Sequence, residues 1–128
     1  MMTADLFARE LTPETVLECL RLRIGEQNGI SARDLVVEIA HRESTADERR
    51  LRQIIEKLRS EGHQVCAHPQ TGYYLAASDS ELQRTLDFLY RRAMTSMRQI
   101  SAMNRVAIPE LRGQLGLIYP ETTHELVE

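Results

Sequence analysis

The sequence predicts a mainly α protein with a small β-hairpin, an α+β domain that continues into a long C-terminal helix and an extended tail. Three observations carry this. From residue 31 to residue 62, two stretches place apolar residues at helical spacing, and the second closes on Gly62. Directly after it, Val65-Cys66 and Tyr73-Tyr74-Leu75 flank His68-Pro69-Gln70-Thr71-Gly72, which is the pattern of two short strands around a turn. From Ser78 a further helical pattern runs to about Arg105, and Pro109 opposes its continuation.

Taken in order, residues 1–11 form a flexible lead. Thr12-Pro13-Glu14 starts a helix: Thr caps, Pro suits the first helical position, and Glu favours the positive end of the dipole. Val16, Leu17, Leu20 and Ile24 make its inner face, and Gly25 to Gly29 end it. Ile30, apolar between breakers, is the edge of a small sheet. Ser31-Ala32-Arg33-Asp34 caps a second helix with Leu35, Val36, Ile39 and Ala40 inward. Thr45-Ala46-Asp47-Glu48 matches a capping box for a third, with Asp47 an alternative cap. Leu51, Ile54, Ile55 and Leu58 are its buried stripe. The two strands follow, with at least one of Tyr73 and Tyr74 packed on the core. Ser78-Asp79-Ser80-Glu81 is a capping box for the last helix. The domain thus covers 12–77, the long helix 78–106 and the tail 107–128.

At 128 residues the chain suits one domain. No apolar run approaches the roughly 20 residues of a membrane span, and the acidic N-terminus has no signal-peptide pattern. These features point to the cytoplasm. Cys19 and Cys66 are too few for a disulfide framework and fit a reducing compartment. The net charge of −3 does not advertise a nucleic-acid binder, but its distribution is uneven. Arg84, Arg91, Arg92, Arg98 and Arg105 face only Asp87 in 84–105, whereas the tail holds Glu110, Glu121, Glu125 and Glu128 against Arg112. All basic residues but Lys57 are arginine, the residue suited to phosphate and guanine.

The order of elements between Ile30 and Leu75 describes a winged helix-turn-helix. Leu51-Arg52, Ile55, Leu58-Arg59, Glu61-Gly62 and Gly72-Tyr73-Tyr74-Leu75-Ala76 carry a resemblance to the N-terminal domains of biotin-operon-type repressors. They also resemble small winged-helix proteins of bacteriophage and prophage genomes. The resemblance implies that the third helix enters the major groove and that the wing touches flanking backbone or minor groove. The chain departs from the pattern in HRESTADERR, residues 41–50, which is longer and more charged than the usual tight turn. No ligase domain follows, so biotin chemistry is not implied.

With the apolar stripe inward, Arg49, Arg50, Arg52, Gln53 and Glu56 face partly outward. Arg49, Arg52 and Gln53 are the expected base contacts, since Arg reads guanine and Gln reads adenine through paired hydrogen bonds. Arg33, Arg50 and Lys57 are expected at phosphates. His68, Gln70 and Thr71 form the wing tip. The first expectation is a sequence-specific double-stranded DNA-binding protein of bacterial or phage type, a transcriptional regulator or replication-associated factor. The second is a protein-interaction adaptor on a winged-helix scaffold, in which these charges only solvate a surface.

In the long helix Leu82, Leu86, Leu89, Ala93, Ile100 and Met103 alternate spacings of four and three, a seam over about three heptads. Such a helix extends about 40 Å, which favours a homodimer with two half-sites; the alternative is a bend near Ser96 and a return onto the domain. In the tail, Gln114-Leu115-Gly116-Leu117-Ile118 resembles the peptide by which bacterial replication and repair proteins dock on the sliding clamp. Packing of Leu115, Leu117 and Ile118 on the protein's own dimer competes with that reading. His63, Cys66 and His68 lack an adjacent fourth ligand, with His41 the one candidate to approach, so a buried thiol with two surface histidines is expected in place of a metal. No cofactor is implied. No nucleophile motif, phosphate loop or carboxylate pair suggests an enzyme.

Overall fold

The computed structural model describes residues 7–105. They form α1 (Pro13–Leu20), a short 3-10 turn (Glu26–Asn28), α2 (Ala32–Ala40), α3 (Thr45–Ser60), β1 (Val65–His68), β2 (Gly72–Leu75) and α4 (Asp79–Asn104). The architecture is mainly helical with one two-stranded antiparallel sheet. Among the described residues no helix is long and apolar enough to cross a membrane.

α1 starts where its sequence places it. The Thr12 hydroxyl accepts the Thr15 N–H at 3.1 Å, and Thr15 Oγ1 accepts the Thr12 N–H at 3.0 Å, a reciprocal capping box. Leu11 and Val16, both buried in the same core, occupy the two positions of a hydrophobic staple around that cap. The lead therefore ends earlier than expected: Leu11 is core, and the Arg9 N–H donates to Ile39 O at 2.8 Å. Ile24 also departs from expectation. α1 stops at Leu20, and Ile24 sits 45% exposed beyond it, bridged in parallel to Leu75.

α2 is capped by Ser31, whose hydroxyl accepts the Asp34 N–H at 3.1 Å, and buries Leu35, Val36 and Ile39. His41, in the left-handed conformation (φ 59°), ends it. The cap of α3 is neither Thr45 nor Asp47 but Ser44, which accepts the Asp47 N–H at 3.1 Å. Only residues 41–44 therefore separate α2 from α3, and the charged stretch that looked like a long turn is mostly first-turn helix. Leu51, Ile54, Ile55 and Leu58 are all buried, as their spacing requires. Gly62 (φ 95°) closes α3 in a Schellman arrangement, with its N–H on Arg59 O (3.0 Å) and the His63 N–H on Leu58 O (3.0 Å).

The hairpin pairs Val65 with Leu75, Cys66 with Tyr74, Ala67 with Tyr73 and His68 with Gly72. The free edge of β2 is also occupied. Ile30 exchanges both backbone bonds with Tyr73 (2.9 and 2.8 Å), while Leu75 bonds Arg23 O (2.9 Å) and the Gly25 N–H (2.8 Å). Gly72 is required here: its φ is +92°, and a Cβ would collide with the Ile30 carbonyl and stand 2.7 Å from Ser31 N.

The sheet separates two apolar layers. Val65 belongs to the helical core of Val16, Leu20, Leu35, Val36, Ile39, Leu51, Ile55 and Leu58, with Tyr73 and Leu75 packed against it. Cys66 and Tyr74, neighbours across the strands, are buried on the other side, where Cys66 Sγ lies 3.7 Å from Glu81 O. The first compact unit runs to Thr85, so the first turns of α4 belong to it.

α4 is unbroken through Ser96. Leu82, Leu86 and Leu89 are half-buried. Beyond them the covered residues are Met94 and Met97, whereas Ala93, Ile100 (40%) and Met103 (85%) are exposed. The four-three seam is thus not what this helix covers in its second half.

Candidate nucleic-acid interface

α3 sets the geometry. Buried Leu51, Ile54, Ile55 and Leu58 define one side, and at about 100° per residue the opposite side carries Arg49, Arg52, Gln53 and Glu56. All four are exposed. The guanidinium groups of Arg49 and Arg52 have no ion-pair partner among the described residues. Arg and Gln side by side offer the donors and acceptors that read guanine and adenine edges, and Glu56 can accept from cytosine N4.

The expected phosphate contacts lie at the flanks. Arg50 is 3.5 Å from Glu10, and Lys57 is 3.8 Å from Glu61, one turn further along α3. Arg33, in the first turn of α2, is 2.9 Å from Glu43. Its hydrogen bond with Glu43, reinforced by the carboxylate charge, raises its pKa further above an already high value. These pairs are solvent-exposed, so a phosphate can exchange for the carboxylate at low cost.

Arg42 escaped the sequence reading. It is 70% exposed on the α2–α3 link and lies 3.2 Å from Asp47. It covers the acid that would otherwise repel phosphate at the α3 N-terminus. Its position between two helices was the available signal, but the late start assigned to α3 hid it.

The hairpin tip is less open than its sequence suggests. Pro69 and Gln70 are exposed. Thr71 is half-buried with its hydroxyl oxygen enclosed. His68 Nδ1 accepts the Gln70 N–H at 3.1 Å, and its Nε2 is 3.7 Å from Glu26 Oε2. Glu26 also meets Arg84 at 2.8 Å. Glu81 completes the brace: its carboxylate takes the Ala77 N–H at 2.8 Å and the Glu26 N–H at 3.0 Å. The expected box at 78–81 thus forms, with the Ser78 hydroxyl accepting the Glu81 N–H at 3.3 Å, but the carboxylate reaches one residue further back and across to the 3-10 turn. Those two N–H groups, Ala77 first, hold Glu81 below the usual carboxylate range. Arg59 ties the end of α3 to the hairpin through Nε–H to Val65 O at 2.8 Å.

The thiols are structural. Burial, then a hydrogen bond and repulsion from Glu38, pushes Cys19 up to about 11, far from thiolate at neutral pH. Cys66 is fully buried between Gln64 O and Glu81 O. Burial likewise raises the Tyr74 phenol. His63, Cys66 and His68 are not gathered: among the described residues no three His, Cys, Asp or Glu side chains are placed to hold a metal ion. The tail peptide, Gln114, Leu115, Leu117 and Ile118, lies outside the described residues. No family model, no curated protein and no solved structure matches this chain.

Proposed function

We propose that this chain is a sequence-specific double-stranded DNA-binding protein of bacterial or phage type, acting in the cytoplasm as a transcriptional regulator or replication-associated factor and not as an enzyme. The observation that carries the reading is the outer face of α3, where Arg49, Arg52 and Gln53 stand together, exposed, with both guanidinium groups unpaired among the described residues. The order helix, Ile30 bridge, helix, helix and hairpin supports the winged helix-turn-helix reading. In that arrangement α3 enters the major groove, Arg33, Arg50 and Lys57 meet phosphates, and Gln70 at the hairpin tip touches the flanking backbone. Exposed Ile100 and Met103 on α4 support a homodimer, which would read two related half-sites.

The test is salt-dependent anisotropy against a labelled random duplex pool, followed by sequencing of the retained fraction. An enriched two-fold-symmetric site supports a dimeric reader. Arg49→Ala with Arg52→Ala should abolish enrichment. Equal binding by that variant would reject the groove assignment.

The second reading is an adaptor, with α4 as the docking surface and a replication sliding clamp as one possible partner of residues 114–118. The same exposed Ile100 and Met103 motivate it. It requires partner capture by residues 78–128 to survive the double arginine variant, together with no duplex binding at low salt.

A further inference from the structure

α4 carries a second periodic face that the duplex reading does not use. Arg84, Phe88, Arg91, Thr95, Arg98 and Ala102 follow one another at spacings of four and three, and Arg105 (φ 57°) continues the spacing as the first residue past the helix end. All seven are exposed, although Met94 and Met97 between them are buried. Arginine recurs at every seventh position, about 10 Å apart along the axis. The guanidinium groups of Arg91, Arg98 and Arg105 have no partner among the described residues, while Arg84 meets Glu26. From 88 to 105 there is no acidic residue. Between the arginines stand small side chains, and the Thr95 hydroxyl is turned back onto Arg91 O at 3.0 Å, which leaves the shelf low. One aromatic interrupts it. Phe88 is 51% exposed, with the Arg92 guanidinium 5.7 Å from its ring centre.

A regular row of unpaired cations on a charge-segregated helix fits a polyanion with regularly spaced charge. The row turns by only about 20° from one arginine to the next. A duplex backbone winds away from a straight rod after one or two phosphates, whereas a single strand can lie along it. An exposed aromatic among arginines adds a surface on which a base can stack, a combination typical of single-strand binding. We propose that this arginine face of α4 binds single-stranded nucleic acid, with Arg91, Arg98 and Arg105 on backbone phosphates of one strand and Phe88 against a base. This surface goes beyond the duplex reading of α3 and does not rest on it.

The experiment uses the full chain and a labelled oligothymidine of about ten nucleotides, titrated by anisotropy over a range of salt, with a short duplex as the second probe. Three neutralised phosphates predict a salt slope of about −2. Arg91→Ala with Arg98→Ala should weaken oligothymidine binding by at least about tenfold and flatten that slope by about 1.4. Arg91→Lys with Arg98→Lys keeps the charge and should keep most of the slope, which separates lost charge from lost fold. Phe88→Leu should cost roughly tenfold with the slope unchanged. Arg49→Ala with Arg52→Ala should affect the duplex probe alone, so the two surfaces can fail independently. Oligothymidine binding that is absent at low salt, or indifferent to Arg91→Ala with Arg98→Ala, overturns the proposal. So does loss of duplex binding alone in that variant.

Discussion

The outer face of α3 and the flank of the hairpin are both rich in charge, and they use it in opposite ways. Beside the hairpin Glu26 holds Arg84 at 2.8 Å and lies 3.7 Å from His68, while the Glu81 carboxylate takes two backbone N–H groups. Each of these four side chains has a protein partner, so their charge holds the strands and the start of α4 together. On α3, Arg49, Arg52 and Gln53 project from a helix whose stability comes from its other side. Charge satisfied inside the molecule contributes to the fold. Charge left unsatisfied on a rigid element is available to a ligand.

Substitutions should separate the two regions. The largest effect on the fold is expected at Gly72. Ala there must adopt φ near +92° and drive its Cβ into the Ile30 carbonyl, so Gly72→Ala should lower unfolding free energy by about 4 kcal/mol in urea titration. Retained stability would mean that the approach of residue 30 to β2 is not tight. Next comes the α3 face. Arg49→Ala with Arg52→Ala should leave the unfolding free energy in urea within about 0.5 kcal/mol yet weaken specific duplex binding by roughly a hundredfold. A stability loss as large as that of Gly72→Ala would erase the contrast between the regions.

A smaller effect tests the corrected start of α3. Ser44→Ala removes the acceptor for the Asp47 N–H and should cost about 1 kcal/mol, whereas Thr45→Ala should cost much less. The smallest effect concerns pH. The folded-state pKa of Glu81 lies below its ordinary value of 4.5, so its carboxylate stabilises the fold above that value. The contribution is lost as pH falls through the lowered folded-state pKa. Glu81→Gln should therefore flatten the acid limb of the stability–pH curve and leave its shape above pH 6 unchanged. An unaltered acid limb would show that other carboxylates set it.

Much of the helical domain was legible because burial and periodicity agree there. Leu51, Ile54, Ile55 and Leu58 can share one side of a helix only in one phase, and Gly62 can close it because the next step needs a positive φ. Of the candidate interface, Arg49, Arg52 and Gln53 were legible as the complement of that stripe. Arg42 and the internal brace around Glu26 were not. Glu26 and Arg84 are far apart in sequence, and no local pattern states that they meet. α4 shows the same limit from the other side. In its second half Met94 and Met97 are covered while Ile100 and Met103 of the four-three seam are exposed, and no local pattern states which side of a helix meets the rest of the molecule.

The sequence by itself determined the kind and order of the elements: a capped α1, an inward stripe on α3, two strands around a proline-containing turn and a long last helix. These depend on interactions within a few residues, namely caps, turn chemistry and side-chain period. Only the tertiary structure decided that Ile30 pairs with Tyr73, that β2 has partners on both edges, that Cys66 and Tyr74 form a second buried layer, and which arginines are left unpaired. Each of these is a contact between distant residues. Its energy depends on desolvation and geometry that arise only when the elements are packed together.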